Sequence, residues 1–162
     1  MRKRFFLTYI LTLSFACCVS AQDFTTRFMT EHETDSNLSC ITISPKMMEE
    51  ILKSDAKKDN GILEIISNLK SMQMLTSKTK GKTYYSDALK IIKRTPNRFE
   101  PFLSFRDKSE NCQIMIRKKD EGIIELVMLM HEKEHFTVIN FTGNMSSDFI
   151  ARIANSIKQK HS

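Results

Sequence analysis

One string in the sequence has the residue types and the spacing of a zinc-hydrolase site. His131-Glu132-Lys133-Glu134-His135 matches the pattern H-E-x-x-H. In that pattern two imidazoles on one helical turn hold Zn²⁺, and the intervening glutamate acts as base for the metal-bound water. His131 and His135 are therefore the candidate metal ligands. A zinc-dependent hydrolase that uses residues 131–135 is the enzymatic alternative for this chain.

The neighbouring residues favour a β-hairpin over a helix at this string. Residues 123–130 and 136–142 are rich in β-branched and apolar residues, as paired strands are. Both variable positions, Lys133 and Glu134, are charged, and no glutamate follows Glu134 to serve as a third ligand. The sequence thus predicts a charged hairpin turn, with no catalytic residue, no metal and no cofactor.

The first residues of the chain have the pattern of a secretory signal peptide. A basic start at residues 1–4 precedes a mostly apolar stretch over 5–16, and small residues at 19–21 suit signal peptidase. We therefore expect cleavage after Ala21, which leaves residues 22–162 as a single domain in the periplasm or cell envelope of a Gram-negative bacterium. The apolar stretch is shorter than the roughly 20 residues of a membrane span, so the mature chain should have no transmembrane segment.

The net charge of +6 is largely a property of that signal, because three of the basic residues lie in it. The remaining domain has no concentrated basic face of the kind that nucleic-acid binders show, so no nucleic acid is expected as a partner. Cys17 and Cys18 raise the alternative of a lipoprotein anchor. The residues before them fit a lipoprotein signal poorly, and cleavage after Ala21 is the prediction.

Cys40 and Cys112 are the two cysteines of the predicted mature chain. In an oxidising compartment they could form one disulfide and close a long loop. Each also lies in an apolar, strand-like segment, where two buried free thiols are the alternative. Their separation lacks the paired spacing of a structural zinc site.

The rest of the chain alternates between helical and strand patterns. Apolar residues with helical spacing predict amphipathic helices, and alternating or β-branched runs predict strands. Serine and proline at 44–45, and serines at 146–147, are typical helix starts. The predicted helices fall at residues 22–33, 45–52, 61–69, 84–92 and 147–157, and the predicted strands at 38–43, 72–75, 99–106, 112–118, 123–130 and 136–142.

These elements predict an α+β domain. We expect a mostly antiparallel sheet with a C-terminal β-meander, and helices packed on one face of it over a single core. The strand at 123–130 is apolar on both faces and should be central, and Gly143 should end the last strand. The many methionines are explained by core packing, but thioether side chains also leave open a Met-lined groove that carries a small apolar ligand.

The order of segments resembles that of small exported bacterial proteins grouped as domain-of-unknown-function family 4252. The residues that carry the resemblance are Phe24 with Phe28, Ile41-Thr42-Ile43-Ser44 before a Met-rich helix, Glu125-Leu126-Val127-Met128, and the run from Ile139 to Met145. The resemblance implies an envelope protein without chemistry of its own, and it supplies no catalytic residues. The sequence therefore favours a non-catalytic module that binds an envelope protein or a small ligand.

Overall fold

The computed structural model of the protein describes residues 22–54, 68–106 and 110–160. The predicted signal peptide, with Cys17 and Cys18, lies outside these residues, and so does most of the helical pattern predicted at 61–69. The helices are α1 (Phe24–Glu31), α2 (Pro45–Ser54), α3 (Gly81–Lys93) and α4 (Ser147–Lys160), and the strands are β1 (Ser39–Ile43), β2 (Leu69–Ser77), β3 (Glu100–Arg106), β4 (Glu110–Lys119), β5 (Gly122–Glu132) and β6 (His135–Met145).

The strands form one antiparallel sheet of six, in the order β1-β2-β6-β5-β4-β3. β3 to β6 pair in succession as the predicted meander, whereas β2 pairs with β6 and leaves β1 at one edge of the sheet. β5 is one of the two central strands, as the apolar residues on both of its faces predict. The α+β class and the antiparallel sheet are confirmed.

Helices cover both faces of this sheet, so the prediction that they pack on one face is wrong. On the first face, α1 and α3 pack over a cluster that includes Phe28, Tyr84 and Val127. On the second face, α2 and α4 pack over a cluster that includes Leu126 and Ile150. Successive side chains of a strand point to opposite faces, so neighbouring residues of β5 belong to different clusters. An amphipathic stripe tells which side of a helix is buried but not which face of the sheet it covers.

Side-chain caps start three of the helices. Asp23 Oδ1 accepts a hydrogen bond from the Thr26 amide at 2.8 Å at the start of α1. The hydroxyls of Ser44 and Ser146 accept from the amides three residues later, at 3.3 and 3.2 Å, at the starts of α2 and α4. Ser44 was predicted as a cap, and Ser146 is one of the two serines, 146 and 147, predicted to cap the last helix. An N-cap oxygen satisfies an amide that has no partner within the helix.

Asp35 fixes the loop between α1 and β1 to helix α3. Tyr84 Oη donates to Asp35 Oδ2 at 2.6 Å, and Asn37 donates to Oδ1 through its backbone N at 3.1 Å and through Nδ2 at 2.7 Å. The bond from Tyr84, followed by those from Asn37, lowers the pKa of Asp35 from 3.8 to about 2. Burial and the bond to Asp35 raise the pKa of Tyr84 to about 12.

The substitution Tyr84→Phe should raise the pKa of Asp35 toward its ordinary value, because the largest lowering interaction is lost. In the wild type the lowered pKa stabilises the fold above about pH 4. That stabilisation disappears as the pH falls through about 2. In the variant, the free energy of unfolding should be lower near neutral pH and should change less as the solution is acidified.

An NMR titration of the Asp35 carboxyl carbon, with urea unfolding at several pH values, measures both effects. The control is Tyr85→Phe, since Tyr85 lies on the same helix but faces His131. An Asp35 midpoint that stays at about 2 in the Tyr84 variant would show that the tyrosine does not set this pKa.

Candidate functional site

Residues 131–135, which match the H-E-x-x-H pattern, form the tip of the β5–β6 hairpin. Glu132 ends β5 and pairs with His135, which begins β6, so Lys133 and Glu134 are the two turn residues. Lys133 has a φ of 52°, in the left-handed region that two-residue hairpin turns use. The hairpin predicted from the flanking strands is confirmed, and residues 131–135 contain no helical turn.

The two imidazoles of this string lie on opposite faces of the sheet. His131 pairs with Phe136, the residue next to His135, and side chains alternate along a strand. The ring of His131 lies 5.7 Å from that of Tyr85 on the first face, so His135 projects from the second face. One metal ion cannot bind both imidazoles in this arrangement. In the part of the chain that the structure describes, no three His, Cys, Asp or Glu side chains are grouped to hold a metal.

The same hairpin tip has a structural contact with helix α3. The Gly81 amide donates to the Glu134 carbonyl at 3.0 Å. A Cβ atom at Gly81 would lie 2.7 Å from the backbone C and O of Glu134 and from the O of His135. Only glycine allows the start of α3 to approach the turn so closely.

Cys40 and Cys112 are both free thiols in the structure, which favours the free-thiol alternative over the disulfide within one chain. β1 and β4 are separated by three strands, which puts their backbones roughly 19 Å apart at the usual strand spacing. A disulfide needs Cα atoms within about 7 Å. Cys112 is buried, as the free-thiol alternative predicts, but Cys40 is exposed at the edge of the sheet.

A buried glutamate on β5 holds the start of α1. Glu125 has no exposed surface, and its Oε1 accepts from the Phe24 amide at 2.6 Å and from Asn140 Nδ2 at 3.2 Å. Asn140 Oδ1 in turn accepts from the Thr25 amide at 3.3 Å. These two side chains therefore satisfy the first amides of the helix, which have no partner within it.

Two arginines balance the charge of Glu125. Arg117 Nε lies 2.7 Å from its Oε2, and Arg98 Nη2 lies 3.8 Å from the same oxygen. Arg98 also donates to the carbonyl of Gln22, just before α1. A buried carboxylate is tolerated when it is paired and hydrogen-bonded in this way. The network fastens α1 to the first face of the sheet.

An open cavity of about 390 Å³ lies between α1 and the β1–β2 end of the first face. Helix α1 and Glu33, in the turn after it, form one wall of the cavity. Cys40 of β1 and Gln73 of β2 form the other wall. Glu33 is the charged residue of the lining. The lining residues are Thr25, Thr26, Met29, Thr30, Glu33, Cys40 and Gln73.

Two residues of the cavity lining each have a buried side-chain oxygen without a hydrogen-bond partner among the described residues. Thr25 is 1% exposed, and its Oγ1 is unpartnered. The same holds for Oε1 of Gln73. Leaving such an atom unsatisfied costs about 1–3 kcal/mol, so buried polar atoms are normally paired with protein, water or a ligand. The wall of the cavity therefore contains two oxygens whose hydrogen-bonding capacity the described residues do not use.

The thiol of Cys40 is also part of the cavity lining. Partial burial raises the pKa of this thiol, and the negative charge of Asp23 raises it further. A thiol with a raised pKa is a weak nucleophile at neutral pH, because the thiolate is the reactive form. Asp23 therefore lies close enough to Cys40 for its charge to act on the thiol.

The outer edge of β1 has none of the features that normally protect an edge strand. Its residues, Ser-Cys-Ile-Thr-Ile, include no charge and no proline, and they pair with β2 in unbroken register. Residues 39–42 are exposed, and 51% of the surface of Ile41 is accessible to solvent. In the described ranges, no strand pairs with this outer edge.

The opposite edge of the sheet, β3, is protected. A register shift interrupts its pairing between Pro101 and Leu103. Charged residues stand at both ends of the strand, and Glu100 forms an ion pair with Lys118 at 2.5 Å. Proline, charge and bulges are the usual means of preventing an edge strand from pairing with another chain. β1 is thus the available edge of this sheet.

The methionines belong mostly to the second face. Met48, Met128 and Met145 are each less than one-tenth exposed and pack in the second-face cluster, as core packing predicts. The cavity lies on the other face, and its one methionine is Met29. It is therefore not the Met-lined apolar site that the carrier alternative requires.

Cys40 was singled out in the sequence only as a possible disulfide partner, and Glu125 only as part of the family resemblance; neither was predicted to build this region. Glu125 carried a signal, because a carboxylate inside an apolar run that is buried on both faces needs a cationic or amide partner. Thr25 and Gln73 had no such signal in the sequence. They come together only because β2, although distant in sequence, lies between β1 and β6.

Comparison with known proteins agrees with the resemblance noted in the sequence. The model of the family described as Domain of unknown function (DUF4252) matches residues 32–153. No curated protein and no solved structure matches the chain. Among the described residues, no helix combines the length and the apolarity that a membrane crossing requires. Because the family match takes in all six strands and most of the chain, the chain belongs to the DUF4252 family.

Proposed function

We propose that the protein is exported and acts in the bacterial envelope as a non-catalytic module that binds an extended segment of another polypeptide. The segment adds to the sheet as a further strand along the outer edge of β1, with main-chain hydrogen bonds providing much of the affinity. The observation that carries the proposal is the contrast between β3, which is protected by proline, charge and a bulge, and β1, which is not.

Export is supported by the N-terminal pattern of a basic start, an apolar stretch and small residues before position 22. Helix α1 starts two residues after the expected cleavage point, and its first amides are bound to Glu125 and Asn140. The first helix would thus have its capping partners ready once the signal is removed.

A second copy of the chain fits the β1 edge less well than a foreign segment does. Pairing two copies at this edge would bring two cavity ends, each with its Glu33, toward one another. An extended segment with neutral or basic side chains meets no such repulsion.

The substitution Ile41→Lys should weaken binding at least tenfold, because a charge on an edge strand opposes the addition of another strand. The probe is an uncharged host peptide of seven residues, blocked at both ends, with alternating valine and threonine and a central norleucine. Its dissociation constant is measured by NMR titration of the folded protein. Phe102→Lys is the matched control, since Phe102 is 45% exposed on the other edge strand, and it should change the constant less than twofold.

Two results would overturn this proposal. Equal loss of binding in both variants would place the peptide away from β1. Sedimentation of the wild type as a dimer that Ile41→Lys dissociates would make a second copy the occupant of the edge.

A further inference from the structure

We propose that the cavity beside β1 binds the side chain of a lysine or arginine in the added strand, at the position that pairs with Cys40. The inference rests on the proposed function and names the residue class that the binding edge selects. It is carried by the geometry of the edge, by the hydrogen-bonding groups of the cavity and by its charge.

The geometry brings one side chain of the added strand to the cavity. Cys40 pairs with Leu75, a member of the first-face cluster, so the Cys40 side chain is on the first face. Directly paired residues of neighbouring strands project on the same face, with their Cβ atoms about 5 Å apart. The residue that pairs with Cys40 would therefore project beside a thiol that already lines the cavity.

Three side-chain groups of the lining residues can accept hydrogen bonds. They are the Glu33 carboxylate, the unpartnered Oε1 of Gln73 and the unpartnered Oγ1 of Thr25. A lysine ammonium brings three donors and an arginine guanidinium five, and neither has an acceptor. The aliphatic part of either side chain can lie against Met29, as long basic side chains do on apolar surface. An apolar side chain would leave the buried acceptors unsatisfied.

The helix start at this cavity does not favour an anion. The amides of Phe24, Thr25 and Thr26 already donate to Glu125, Asn140 and Asp23. The positive end of α1 is therefore occupied by the protein's own oxygens, and two of these belong to carboxylates. With Glu33 in the lining and Asp23 nearby, the charge at the cavity is negative and complements a cation.

The test uses the host peptide with lysine, arginine, norleucine or glutamate at its centre. We expect the lysine and arginine peptides to bind at least tenfold more tightly than the norleucine peptide, and the glutamate peptide to bind more weakly. Glu33→Gln and Thr25→Val should each bring the lysine and norleucine affinities to within threefold of one another. Glu31→Gln is the matched control, because Glu31 is on the same helix but pairs with Arg94.

Each outcome has a distinct meaning. Equal affinities for all four peptides would overturn the cavity assignment and leave the β1 edge in place. If none of the four peptides binds, the proposed function itself is overturned. Binding of free agmatine as tightly as the lysine peptide would overturn the assignment to a side chain of the added strand. Thermal unfolding of Thr25→Val confirms that this variant is folded, since it removes only an unpartnered hydroxyl.

Discussion

Replacing Glu125 with alanine should lower the free energy of unfolding by about 3–5 kcal/mol, the range found when one partner of a buried ion pair is removed. The substitution leaves the Phe24 amide without its acceptor. It also leaves the side chains of Arg98 and Arg117, which are 10% and 19% exposed, without their shared carboxylate. The repulsion between these two arginines, which helps to lower the pKa of Arg98 after the larger effect of burial, would then lose the opposing charge of Glu125.

Urea unfolding of three variants separates these contributions. Glu125→Gln keeps an oxygen for the Phe24 amide but loses the charge, and it should cost about 1–3 kcal/mol. Glu121→Ala, in the exposed turn before β5, should change the free energy by less than about 0.5 kcal/mol. If Glu125→Ala lowers the free energy of unfolding no more than Glu125→Gln does, the backbone of α1 does not depend on this carboxylate.

Replacing Gly143 with alanine should destabilise the fold by about 2–4 kcal/mol, because backbone strain and overpacking add at this position. Gly143 has a φ of 136°, which side-chain-bearing residues rarely adopt. A Cβ atom there would lie 2.6 Å from the Asn68 carbonyl oxygen and from Leu69 Cα. Both neighbours are backbone atoms at the register shift between β2 and β6, so neither can move away without a shift of the main chain.

Gly122→Ala is the matched control for this prediction. Its Cβ would lie 3.3 Å from Asn144 Oδ1, the end of an exposed side chain that can move. We expect a change of less than about 1 kcal/mol. Thermal and urea unfolding of the two variants measure the difference, and similar losses in both would mean that the register shift does not require glycine.

Much of the fold could be predicted because local patterns decide it. Alternating apolar residues after Pro96 predicted β3 to β6, and the serine caps predicted the starts of α2 and α4. The prediction that Gly143 ends the last strand is wrong. β6 runs on to Met145, because Asn144 N donates to Asn68 O at 2.9 Å beyond the register shift. A contact with a residue 76 positions away leaves no trace in the local pattern.

The candidate site could be predicted less well, because it depends on strand order. The string at 131–135 was correctly predicted as a hairpin, since flanking β-branched residues outweigh a short motif. The free edge of β1 could not be predicted, because it depends on the pairing of β2 with β6, which is distant in sequence. The distribution of the helices over two faces depends on the same long-range pairing.

The most direct test of the account is amide hydrogen exchange of the full chain, measured by NMR with and without a saturating amount of the lysine peptide. Amides of an antiparallel strand point alternately to its two sides, so only every second amide of β1 faces the free edge. We expect the peptide to slow exchange at those alternate amides within residues 39–43 and to leave the amides of β3 unchanged. Slowed exchange at β3, or unchanged exchange along the whole of β1, would contradict the assignment of β1 as the binding edge.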